Sequence, residues 1–147
     1  MFEGQNRTSI DHKGRTSVPS RIRQELVDPQ DGTFILAASF DPCLEAFPAA
    51  AWRRHVEKLV SLPEHDAKAR GAQRWYLGGA FTMGLDGHGR ILVPPALREY
   101  AGVQREVVWV GVGGRLEIWE PDRLEKWSRQ FRAESSDVAA WLAGKGL

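Results

Sequence analysis

The chain has 147 residues, 42% hydrophobic and 27% charged, with a formal net charge of +1. That length suits one compact body, or two closely fused small ones. The single cysteine, Cys43, excludes an internal disulfide and fits a reducing compartment; with no apolar leader and no run of about eighteen apolar residues, neither secretion nor a membrane-spanning helix is expected.

In chain order, Arg7 lies on a first strand and Gly14 sits in a tight turn, where a residue without Cβ adopts positive φ most easily. Arg15 to Val18 is a brief β-branched run, a short strand. Pro19 suits the first turn of a helix, which Ile22 and Leu26 continue on one face. After Gly32-Thr33 the strands Phe34–Ala38 and Cys43–Phe47 flank Phe40-Asp41-Pro42. Trp52, Val56, Leu59 and Val60 then mark one apolar face of a helix that Leu62-Pro63 ends. Glu64 to Gln73 reads as a second, mostly polar helix, and Trp75-Tyr76 as the opening of a strand before Leu77-Gly78-Gly79.

The chain then repeats itself. Asp11-His12-Lys13-Gly14-Arg15-Thr16-Ser17-Val18-Pro19 returns as Asp86-Gly87-His88-Gly89-Arg90-Ile91-Leu92-Val93-Pro94, an offset of 75 positions (86 − 11). Both copies place an Arg four residues after the Pro, Arg23 and Arg98. At the same offset Thr33-Phe34-Ile35 aligns with Val108-Trp109-Val110, and Leu44 to Phe47 aligns with Leu116 to Trp119 at an offset shorter by three. Leu97 and Ala101 mirror Ile22 and Leu26, and Val107–Gly111 with Arg115–Trp119 forms a hairpin around Val112-Gly113-Gly114. Leu124, Trp127, Phe131 and Trp141 line a helical C-terminal stretch. A lone copy of about fifty residues is marginally stable, so the copies are expected to share one core.

Charge is unevenly placed. Residues 1–23 carry +3, residues 24–50 carry −5 and residues 51–75 carry +3. A near-neutral mean therefore conceals a basic N-terminal face, which by charge alone is either ordinary solvated surface or a binding face.

Two copies of Asp-x-x-x-Arg followed by Val-Pro, the opening Phe2-Glu3-Gly4, and Arg115-Leu116-Glu117-Ile118-Trp119 make a specific pattern. It resembles the MraZ family of bacterial transcriptional regulators, found with cell-division and cell-wall genes, within the wider SpoVT/AbrB class. The resemblance covers all but the C-terminal tail. It implies an α+β fold: a pseudo-two-fold swapped-hairpin β-barrel of two tandem AbrB-like repeats, with helices between and after them. The repeats would occupy 1–50 and 75–120, with a helical hairpin over 51–74 and a helix and tail over 121–147. It also implies a homo-oligomeric ring, acting on repeated boxes in promoter DNA in the cytoplasm, at the nucleoid.

Arg7, Lys13, Arg15, Arg21 and Arg23 are the candidate DNA-binding residues, with Arg15 central, because a guanidinium past a Gly turn can grip guanine or phosphate bidentately. Asp11 and Gly14, and Asp86, Gly89 and Arg90 in the second copy, are motif residues. They either pin the turns by an Asp–Arg ion pair or make secondary DNA contacts. Arg23 and Arg98 suit the C-termini of their helices equally well. The second copy lacks a local positive excess, so one copy is expected to be the main reading head.

Other classes fit less well. His12, His55, His65 and His88 have no metal-ligand spacing with Cys43, and neither a nucleophile elbow nor a phosphate loop is present, so no enzyme, metal or cofactor is expected. An antitoxin of AbrB type, binding DNA and a toxin, is the alternative; two fused motifs and a short tail argue against it.

Overall fold

A computed structural model describes all 147 residues, organised as a six-stranded antiparallel sheet and a two-stranded ribbon. The first half supplies β1 (Gln5–Ser9), β2 (Arg15–Ser17), α1 (Ser20–Leu26), β3 (Thr33–Ala38) and β4 (Leu44–Phe47). Helices α2 (Ala49–Val60) and α3 (Ala67–Gly78) follow. The second half repeats the order as β5 (Phe81–Gly84), β6 (Arg90–Leu92), α4 (Pro95–Ala101), β7 (Glu106–Gly111) and β8 (Leu116–Trp119). Two further helices, α5 (Pro121–Ala133) and α6 (Ser135–Ala143), end the chain. The fold is thus mixed α+β, built from two tandem repeats.

The repeats interleave. The sheet order is β1-β7-β8-β4-β3-β5, which reads the same when the halves are exchanged. Each opening strand pairs with the other half's hairpin: β1 with β7, and β5 with β3. The pseudo-dyad passes between Glu45 and Glu117, which face each other across β4 and β8, and between Thr16 and Ile91, which face each other across β2 and β6. The sheet has β1 and β5 as its edges, and a bridge between Ile10 and Thr16 ties the ribbon to the β1 end.

The registers correct one alignment. Arg7 faces Val108 and its counterpart Thr82 faces Ile35, so β3 and β7 are related by 73 positions (108 − 35), not 75. Phe34 therefore corresponds to Val107 and Leu36 to Trp109, and all four are fully buried. The physical cause is the loop after α1, which is two residues longer than the loop after α4 and folds around Asp28, whose carboxylate accepts the N–H of Gln30 at 2.8 Å.

Matched residues from both repeats fill one core. Val18 and Val93, Ile22 and Leu97, Leu26 and Ala101, and Leu44 and Leu116 all belong to a single apolar cluster. Burying each large side chain there is worth about 1.5–3 kcal/mol. Trp109, fully buried, keeps its polar edge satisfied because the indole N–H donates to Thr8 Oγ1 at 3.0 Å. The helices cover the sheet elsewhere: α2 and α3 pack Leu59 and Tyr76 on Ala37, and Leu124 of α5 packs on Val108 and Trp119.

The helix expected over Glu64–Gln73 is displaced, and Trp75-Tyr76 is helical rather than extended. Asp66 is the reason for the late start, since its side chain accepts the N–H of Lys68 at 2.8 Å and caps α3 there. Burial carries the helix on: Tyr76 docks on Leu59, while the Trp75 indole N–H donates to the Ala38 carbonyl at 3.0 Å.

Candidate nucleic-acid interface

The two Asp-x-x-x-Arg segments fold into the same turn. Asp11 Oδ1 accepts the N–H groups of Lys13 and Arg15, both at 2.9 Å, and Oδ2 accepts Arg15 Nε at 2.7 Å. Asp86 does the same, with His88 N at 2.8 Å, Arg90 N at 3.0 Å and Arg90 Nε at 2.9 Å. Gly14 at φ +90° and Gly89 at φ +73° close the turns in a conformation that a residue with Cβ rarely adopts. The Arg15 N–H, with the guanidinium adding to it, holds the Asp11 carboxyl down at about 2. Asp86 also lies at about 2, for the same reasons from Arg90 and with the N–H of His88.

The ion pair does not occupy the arginine. Each guanidinium meets its aspartate through Nε, so both Nη groups of Arg15 and of Arg90 remain free of protein partners. The carboxylate thus aims the fork without closing it, and the structural and DNA-binding roles of this motif are compatible.

Strand alternation decides which way the ribbon faces. Thr16 and Ile91 point into the core; Arg15, Ser17, Arg90 and Leu92 point outward. The polar Thr16 is satisfied, since its hydroxyl donates to the Ser9 carbonyl at 2.8 Å. Arg15 and Arg90 share one face, and their side chains are nearly equally exposed, at 35% and 34%. The Gly14 and Gly89 carbonyls accept the N–H of Val93 and Val18, at 2.8 and 3.0 Å, so each turn is anchored by the other repeat.

Arg23 and Arg98 also cross over. A Cβ on Gly89 would meet Arg23, and one on Gly14 would meet Arg98. Each arginine therefore lies against the opposite repeat's turn. One group joins Lys13, Arg15 and Arg98; the other joins His88, Arg90 and Arg23. The other two candidates lie elsewhere. Arg7 pairs with Glu106 at 3.2 Å on the face of β1 opposite Thr8, and it lines a groove of about 660 Å³ with Glu120, Asp122 and Glu125. Arg21 is exposed on α1 beside Met1, Glu3 and Glu25.

Two residues not singled out from the sequence as DNA contacts stand beside Arg15, Arg98 against the Gly14 turn and Leu92 directly across the ribbon, and Arg90 is presented as Arg15 is. The signal for Arg98 was its place 75 positions after Arg23 (98 − 23). Elsewhere, Cys43 is fully buried and burial pushes its thiol up, out of nucleophilic range. His55 is pushed down by burial, beside Tyr76. No helix is long and apolar enough to cross a membrane.

Comparison with known families gives the same two-part reading. Residues 1–75 and 76–143 each match the family described as "MraZ protein, putative antitoxin-like". The chain belongs to the MraZ family. Relatives match along nearly their whole length. The transcriptional regulator MraZ of Moorella thermoacetica is 42% identical over 145 residues, covering 99% of this chain and 96% of the relative. That of Pelotomaculum thermopropionicum is 39% identical over 147 residues, covering 100% and 99%. That of Thioalkalivibrio sulfidiphilus is 39% identical over 139 residues, covering 95% and 93%.

Proposed function

We propose that this chain is a sequence-specific DNA-binding transcriptional regulator whose contact surface is the outward face of the β2–β6 ribbon. The observation that carries the reading is the pair of pinned turns, each leaving two free Nη groups on one exposed face. The guanine edge in the major groove, with its O6 and N7 acceptors, is matched by a planar fork of this kind, and the groove admits a two-stranded ribbon. Lys13, Arg23 and Arg98 beside them supply phosphate contacts. The names of the relatives support the same function.

Several finer points belong to this proposal. The ribbon and sheet form a swapped-hairpin barrel, divided as repeat 1–50, helical hairpin 51–74, repeat 75–120 and tail 121–147. The targets are repeated promoter boxes near a division and cell-wall gene cluster. A homo-oligomeric ring offers several ribbons at once, so effective concentration multiplies weak single contacts. Arg7 and Arg21, off the ribbon, meet flanking phosphates or none. The protein works without a cofactor, in the cytoplasm and at the nucleoid.

Titration of the purified protein against its own upstream DNA at several salt concentrations tests the proposal. The log affinity falls by roughly 0.9 per phosphate contact per log salt. The slope lessens by about one contact in Lys13→Ala. Equal affinity for shuffled and native sequence contradicts the reading. The antitoxin alternative draws on the family's description, and stoichiometric capture of a toxin alongside DNA binding would favour it.

A further inference from the structure

The ribbon's outward face carries four side chains in two facing pairs, Arg15 opposite Leu92 and Ser17 opposite Arg90. The pseudo-dyad exchanges the two arginines, but it also exchanges Ser17 with Leu92. The cations match and their neighbours do not. At 55% exposure, Leu92 stands on the outward face of the ribbon between Arg15 and Arg90. Its inward neighbours Ile91 and Val93 are core residues at 1% and 0%, so Leu92 is not needed for the core. The turns differ in the same sense, with Lys13 at one end and His88 at the other.

An apolar side chain beside a guanine-gripping fork has a natural counterpart. Among major-groove base edges, only thymine presents an apolar group, its 5-methyl. A residue directly across an antiparallel pair lies about 4.5–5.5 Å away between Cβ atoms, closer than the next same-face residue two positions along the strand, roughly 6.6 Å off. Leu92 therefore serves the Arg15 end of the ribbon more than the Arg90 end.

We propose that Leu92 reads the methyl group of a thymine next to the guanine held by Arg15. The assignment rests on the DNA-binding reading above. Hydroxyl-bearing Ser17 makes the Arg90 end tolerant of thymine or cytosine.

The test starts from duplexes that the full-length protein selects out of a randomised library. Each thymine of the selected duplex is replaced in turn by uracil, which removes only the methyl. One position, adjacent to a guanine, is expected to weaken binding about fourfold, the worth of one buried methyl. In Leu92→Ala that thymine and uracil bind equally. In the double variant Ser17→Leu, Leu92→Ser the sensitivity moves to the other end of the box. Both positions are solvent-exposed, so the variants fold. Uracil sensitivity that persists in Leu92→Ala, or is absent in the wild type, overturns the assignment while leaving DNA binding intact. A loss of assembly mass in Leu92→Ala with discrimination unchanged overturns it too, placing Leu92 between copies. Selection of no duplex at all removes the underlying reading along with it.

Discussion

Arg15 and Asp11 are one device. The aspartate receives two backbone N–H groups and the guanidinium Nε, and the remaining fork faces solvent. Arg15→Ala removes the fork and is expected to weaken specific binding about ten- to a hundredfold, the worth of a good bidentate base contact. Arg15→Lys does not restore it, because an ammonium cannot bond Asp11 and present a planar fork together. Fluorescence anisotropy with native and scrambled duplexes measures both. The carboxylates also set an acid limit. With folded values near 2, below an ordinary value of about 3.9, Asp11 and Asp86 contribute stability that is complete above pH ~4 and lost as pH falls through 2. Melting temperatures of an Asp11→Asn, Asp86→Asn double variant should therefore fall less than wild type between pH 4 and 2. An equal fall in both proteins would show that the turns do not rely on these charges.

The turns and the ribbon work at the scale of elements. Positive φ at Gly14 and Gly89, and the arginine packed over each, make Ala costly twice over. Gly89→Ala is expected to destabilise by at least about 1–2 kcal/mol from backbone conformation alone. Adding Arg23→Ala relieves the crowding but not the φ penalty, so urea denaturation should show partial rescue. Much of this level was legible from residues. Gly-Arg after Asp gave the turns, Pro19 and Pro94 the helix starts, and Gly113-Gly114 the hairpin. The rest depends on partners distant in the chain. Trp75 and Tyr76 have strand-like character, yet α3 extends through them because Tyr76 has Leu59 to dock on. No local signal says that Arg23 serves the second turn and Arg98 the first, because that follows from strand exchange between the halves.

Strand exchange is also what makes the molecule one body. Neither half contains a complete sheet, since β1 finds its partner in β7 and β5 finds its own in β3. Residues 1–75 or 76–147 alone are expected to lack a cooperative unfolding transition as monomers, whereas an equimolar mixture regains it; circular dichroism during urea titration distinguishes the cases. A half that folds cooperatively as a monomer would deny the shared core. The two repeats were visible as an echo of thirteen residues, but their exchange and the two-residue slip in β3 were not, because pairing register is written in contacts rather than in spacing. Both arginines stand on one ribbon, so the expectation that one repeat dominates becomes a question of affinity, which variants of each arginine answer. Arg90 is as exposed as Arg15 and held in the same way.

The most direct measurement is therefore the affinity of Arg15→Ala, Arg90→Ala and the double variant for the protein's own upstream DNA, with oligomeric mass checked alongside. A two-headed ribbon predicts that each single change costs about tenfold or more, that the double change costs more than either, and that the mass stays constant. Wild-type affinity in both single variants would contradict it.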